Sequence, residues 1–128
     1  MGTDRAVDVR TTLRPDAGSA AAARRFVADV LSQRGFSRSG IEDAVLMTSE
    51  AFTSLIVRSG SEVGLLVVAD AGLARVEVHD AKPGSPTIER STAQDGPELG
   101  LRVIDAVAEA WGVDDVGDGR CIWFEVRS

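Results

Sequence analysis

The sequence holds one cysteine, Cys121, and one histidine, His79, in 128 residues. A lone cysteine excludes an intramolecular disulfide and a cysteine-rich zinc site, and it fits a reducing compartment. A lone histidine leaves little basis for a Ser/His/Asp triad or a histidine-built metal centre. Lysine also occurs once, at Lys82, and 14 basic against 20 acidic residues give a net charge of −6. No basic stripe suits direct nucleic-acid binding. No apolar run is long enough to span a bilayer, and the start MGTDRAVDVR lacks the apolar stretch of a signal peptide, so a cytoplasmic protein is expected. With 44% apolar residues and four prolines the composition is globular, and the length fits one domain over residues 1–128.

What the sequence does contain is a sequence of elements with clear punctuation. VDVRTTL over Val7–Leu13 alternates as a strand and stops at Arg14-Pro15, after which Asp16 or Ser19 can cap a helix over Ala20–Arg34 that Gly35 ends. Ser39 with Glu42 has capping-box spacing for a second helix, Ile41–Gly60. VGLLVVAD reads as an interior strand and LARVEVHD as its alternating hairpin partner, with His79 on the polar side. Ala81–Gly96 shows little periodicity and contains two prolines, as functional or mobile loops do. Leu99–Trp111 reads as a helix with Leu101, Ile104, Ala108 and Trp111 on one face. Val113–Val116 and Cys121–Val126 then flank a turn at Asp118-Gly119. The order β, α, α, β, β, α, β, β predicts an α+β two-layer sandwich with three helices on one face of a mixed, mainly antiparallel sheet.

The second helix is the stretch around which the rest is organised. Ile41, Val45, Thr48, Phe52 and Ile56 make the expected core stripe, and Leu46, Met47, Glu50, Ala51, Ser54 and Val57 fall opposite, so the helix is expected between two layers. Glu50 and Ser54 share a face at one-turn spacing. A carboxylate among apolar neighbours acquires a partner or a raised pKa and can deprotonate a hydroxyl, although a solvent-facing glutamate fits the same spacing. Asp80 ends a strand, where it serves either as a turn residue or as an acceptor for a base amino group. Gly96 and Gly100 flank a helix start, where backbone N–H groups can approach an anion; close helix-entry packing accounts for Gly100 equally well.

In sequence order, TSEAFTSLIVRSG, VEVHDAKPGSP, ELGLRVIDAVAEAWGV and GRCIWFEV resemble the boxes of the GHKL ATPases, in particular the branch of anti-sigma-factor serine kinases. The resemblance implies a Bergerat-type, histidine-kinase-like fold that binds ATP or ADP with Mg²⁺ under a lid in Ala81–Gly96. It also implies two partners, a sigma factor and a STAS-type anti-anti-sigma protein, and a homodimer that the edge Val7–Leu13 could mediate. Carried over, Glu50 is the general base, Asp80 the adenine anchor and Thr53 the family threonine. Ser54 stands at the metal ligand, and Gly84, Gly96, Gly100, Leu101 and Cys121 line the nucleotide, Cys121 at the threonine position of the last strand.

The departures from the family pattern weigh against efficient phosphoryl transfer. The family's metal-binding asparagine is Ser54 here, and the chain has no asparagine. Lys82 stands at the first glycine of the aspartate box and Glu98 at a glycine beside phosphate. Two like unit charges ~4 Å apart cost roughly 1 kcal/mol in water and about 4 at an effective dielectric of 20, part of which Lys82 can offset. A serine hydroxyl can ligate Mg²⁺ but is shorter than an amide and suits a water-mediated contact. The expectation is a regulatory binding module with impaired or lost kinase activity; the alternative is an active Mg-ATP-dependent serine kinase acting on a STAS-domain antagonist.

Overall fold

The computed structural model describes residues 7–59, 62–80, 99–116 and 119–128. Among these, the strands are β1 (Val7–Leu13), β2 (Val63–Asp70), β3 (Leu73–Asp80), β4 (Ala110–Val116) and β5 (Gly119–Arg127). The helices are α1 (Ser19–Gln33), α2 (Arg38–Ser59) and α3 (Leu99–Val107). The strands form one sheet in the order β1-β2-β3-β5-β4, and every pairing in it is antiparallel, so the expected parallel component is absent from the described sheet.

Local chemistry sets the ends of these elements. The Asp16 carboxylate accepts the Ser19 N–H at 2.9 Å where α1 begins. At the other end Phe36 donates to the Leu31 carbonyl and Gly35 to that of Ser32, with Gly35 at φ 80°, which is the Schellman arrangement. The cap of α2 is Ser37 rather than Ser39: its Oγ accepts the Gly40 N–H at 3.1 Å, and Ser39 already lies inside the helix. Glu42 turns instead toward Arg38 in an exposed i,i+4 ion pair. In the β2–β3 hairpin, Gly72 at φ 85° supplies the backbone conformation that side-chain-bearing residues resist.

The last helix is shorter than its periodicity predicts. α3 stops at Val107, the Glu109 N–H joins the sheet by donating to the Glu125 carbonyl, and Trp111 belongs to β4 opposite Phe124. The apolar spacing of Ala108 and Trp111 fits a helix and a half-buried strand alike. Pairing with β5 decides between them, and the Trp111 indole reaches back to donate to Asp105 of α3 at 2.9 Å.

All three helices pack on one face of the sheet, with α2 between α1 and α3 in a single layer and not between two layers. Its core stripe is rotated from the predicted one: Ala44, Met47, Thr48, Ala51, Phe52 and Leu55 are buried, and Ile41 and Val45 only half-buried. Thr48 satisfies its hydroxyl by donating to the Ala44 carbonyl at 2.7 Å. Opposite this stripe the sheet presents Leu65 and Val67 of β2, Val76 and Val78 of β3, and Ile122 and Phe124 of β5. The rotated stripe has a direct test. Met47→Ala should cost about 2–5 kcal/mol in urea unfolding, whereas Leu46→Ala, at a residue 44% exposed, should stay within about 0.5 kcal/mol. Equal losses would contradict the orientation of α2.

Candidate functional site

Three ends of chain meet at one end of the sheet. α2 finishes at Ser59, a short connection leads to Val63, and Val63 is the register partner of Asp80. The second half of α2 therefore lies toward the strand end that carries Asp80. The chain leaves β3 at Asp80 and returns at Leu99 to start α3, which packs on α2. Gly119, the first residue of β5, closes the same end, since a Cβ there would come 2.5 Å from the Asp80 carbonyl oxygen.

Strand alternation decides which side chains face the helices. On β3 the core residues Ala74, Val76 and Val78 have the parity of Asp80, so Asp80 is on the helix side and half-buried. Glu50 and Ser54 are half-buried one turn apart on α2, and Thr53 is exposed. Leu101 is fully buried in the first turn of α3, and Gly100 precedes it there. Ser49, next to Glu50, accepts a 3.3 Å hydrogen bond from Arg24 of α1, which ties the first helix to the turn that carries the glutamate. Gly84, Gly96, Lys82 and Glu98, with the proposed lid, lie outside the described residues.

Cys121 is not brought to this group. On β5 the core residues Ile122, Phe124 and Val126 share one side and Cys121 faces the other, opposite His79 of β3 and Asp114 of β4. It belongs with the residues of the sheet's outer face. There the Arg75 guanidinium lies 4.2 Å from the centre of the Trp123 ring and 2.9 Å from the Glu77 carboxylate, and the His79 ring fills the space left by Gly64. Burial, reinforced by Glu77 and Asp114 and opposed by Arg75, pushes the Cys121 thiol from its ordinary 9.0 up to about 12. The residue of this strand that shares the helix side is Arg120, 8% exposed. Period-two counting back from Ile122 finds it in the sequence.

The site's chemistry is that of an acceptor at the strand end, Asp80, and two oxygen side chains on α2, Glu50 and Ser54. Among the described residues no group of three or more His, Cys, Asp or Glu side chains could hold a metal ion. A magnesium ion bound near Glu50 and Ser54 would therefore take most of its ligands from water and phosphate oxygens, as that ion commonly does. Oxygen donors of this kind fit the ion, and the strand-end carboxylate fits a base amino group.

A helical layer on one face of an antiparallel sheet, with an acidic residue on the central helix and an aspartate at a strand end, is the architecture of a histidine kinase-like ATPase domain. The model of that family matches residues 13–126, and the chain belongs to it. Among solved structures it is similar to the RsbU and RsbW domains of Rv1364c from Mycobacterium tuberculosis, with a TM-score of 0.70 and 17% sequence identity over 94% of this chain and 32% of that one. At this identity the likeness is one of fold, and the chain spans about a third of the length of that structure. A search of curated protein sequences returns no match. No helix among the described residues is long and apolar enough to cross a membrane.

The outer-face position of Cys121 predicts an unreactive thiol. Ellman's reagent at pH 8 should label it only slowly in the folded protein and at once in urea, since the thiolate is the nucleophile. Because its folded pKa is raised, its contribution to stability is complete below pH 9 and is lost as the pH rises toward about 12, where the unfolded chain ionises first. Rapid labelling of the native protein would contradict the assignment.

Proposed function

We propose that this chain is a regulatory nucleotide-binding module that works in the manner of the anti-sigma-factor serine kinases. It would bind ATP or ADP between α2 and the helix side of β3 and β5, and engage a sigma factor and a STAS-type anti-anti-sigma protein as alternative partners. Phosphoryl transfer is weakened or lost in this reading. Self-association along the β1 edge belongs to the same reading. Membership of the histidine kinase-like ATPase family supports the nucleotide, and the similarity to a structure with an RsbW domain supports the partners.

The observation that carries the weakened transfer is Ser54, one turn beyond Glu50 in a chain without asparagine. Phosphoryl transfer depends on positioning and on metal-assisted neutralisation of charge, and a short hydroxyl holds the ion less firmly than an amide. When bound, the ion would neutralise phosphate charge; Asp80 would accept from the base amino group, and the N-terminus of α3 would favour the phosphates. The second reading, an active kinase, draws support from Glu50, which is half-buried and one turn from Ser54, where it could take the proton of an incoming serine hydroxyl.

Calorimetric titration with ATP and ADP, with and without Mg²⁺, separates the two. The module should bind both nucleotides with affinities that change little on adding Mg²⁺, and Ser54→Asn should raise the magnesium-dependent affinity by about tenfold, the gain from one further hydrogen-bonded or ligand contact. Strong magnesium dependence in the unaltered protein, with transfer to a STAS-domain serine that Glu50→Ala abolishes, would establish the kinase instead.

A further inference from the structure

The described sheet has two edge strands, β1 and β4, and they are built differently. An edge strand offers a row of backbone donors and acceptors to any chain that can pair with it, and natural sheets blunt such edges with charge. β1 carries exposed Asp8 and Arg10, joined in an ion pair at 3.7 Å. β4 has no charged residue from Ala110 to Val113, and among the described residues no strand pairs with its far edge. The two sides of that edge also differ in chemistry. By register with Phe124 and Ile122, Trp111 and Val113 lie on the helix side, where they are half-buried, as are Val107 and Ala108 at the end of α3. The hydrogen bond to Asp105 holds the Trp111 indole there. The outer side carries Ala110, Gly112 and Asp114. A Cβ at Gly112 would come 2.8 Å from the Trp123 indole nitrogen, so that ring lies across the strand at this point. Asp114 is exposed, and half-buried Glu125 stands behind the small side chain of Ala110. Arg75 and Arg127 of this face pair with Glu77 and Glu109, which leaves the outer side of the edge acidic.

We propose that β4 is a docking edge for an extended segment of another protein, taken up as a further strand of the sheet. Its residues would alternate, apolar ones toward Trp111 and Val113 on the helix side and basic ones toward Asp114 and Glu125 on the outer side. In such strand addition the backbone hydrogen bonds supply affinity and the alternate side chains supply specificity. Charge complementarity selects the occupant. A two-fold pairing of β4 with the β4 of a second copy would set Asp114 and Asp115 near a second set of acids, and like charges on neighbouring strands are destabilising. A basic, alternating segment meets both sides of the edge without such repulsion. This surface is independent of the nucleotide reading and lies at the opposite edge of the sheet from β1.

The test uses the full chain and two synthetic peptides, one alternating valine with arginine and one alternating valine with glutamate, with calorimetry and backbone amide hydrogen exchange as readouts. The arginine peptide should bind saturably and slow exchange of the β4 amides that point away from β5, and the glutamate peptide should bind at least about tenfold more weakly. N-methylation along the pairing edge of the arginine peptide removes its donors and should abolish binding, which separates strand addition from attraction between opposite charges. Asp114→Lys, at an exposed position, should weaken the arginine peptide by about tenfold. The proposal fails if the arginine peptide does not bind, if its N-methylated form binds equally well, if Asp114→Lys leaves its affinity unchanged, or if the protection appears in β1 instead. Protection of β4 that rises with protein concentration in the absence of peptide would assign the edge to a second copy and overturn the proposal as well.

Discussion

The register between β3 and β5 is the constraint from which the rest of the site follows. Side chains alternate with a period of two, so a slip of β5 by one residue would exchange its two faces while β3 kept its own. With His79 opposite Cys121, the core receives Val76, Val78, Ile122 and Phe124, and the helix side of the sheet end receives Asp80 and Arg120. The register is held by apolar burial on one face and by a polar network on the other, where Arg75 stacks over Trp123 and pairs with Glu77. Core packing and site composition are therefore one decision: a pairing that buries Ile122 and Phe124 also turns Arg120 inward and Cys121 outward.

The same logic governs α2. Burial of Met47, Ala51 and Phe52 against the sheet leaves Glu50 and Ser54 on the flank of the helix, half-buried, where water and a ligand can both reach them. Thr48 could be buried because its hydroxyl returns to the carbonyl one turn back. Arg24 crosses from α1 to Ser49 and so fixes the neighbouring helix to the turn that bears the glutamate. A carboxylate in this position is near enough to the core to be held in place and exposed enough to remain available for binding.

Much of this was legible in the sequence. The order of elements, the β2–β3 hairpin with its glycine turn and the α1 stop at Gly35 are written in local chemistry. The boxes around Glu50 and Asp80 carry the family. What was not legible depended on partners distant in the chain. The helical face of α2 is set by which stripe meets the sheet, and an apolar helix offers more than one. Trp111 satisfies helix and strand periodicity at once until β5 claims it. Ser39 and Glu42 have the spacing of a cap, but the chain enters two residues earlier at Ser37, whose N–H donates to the Ser128 hydroxyl, a contact from the far end of the sequence. Cys121 stands at the threonine position by resemblance, and the parity that turns it to the outer face is set by the pairing of β5 with β3.

The measurement that tests the central claim most directly is nitrogen–proton NMR of the protein titrated with ATP, observing side-chain signals on the two faces of the sheet. The account predicts that the Arg120 Nε–H signal and the backbone amides around Glu50 and Ser54 move in a saturable way, while the Trp123 indole N–H on the outer face stays where it is. Movement of the Trp123 indole with Arg120 and α2 unaffected would contradict it, and would locate the ligand on the face of the sheet that the helices do not cover.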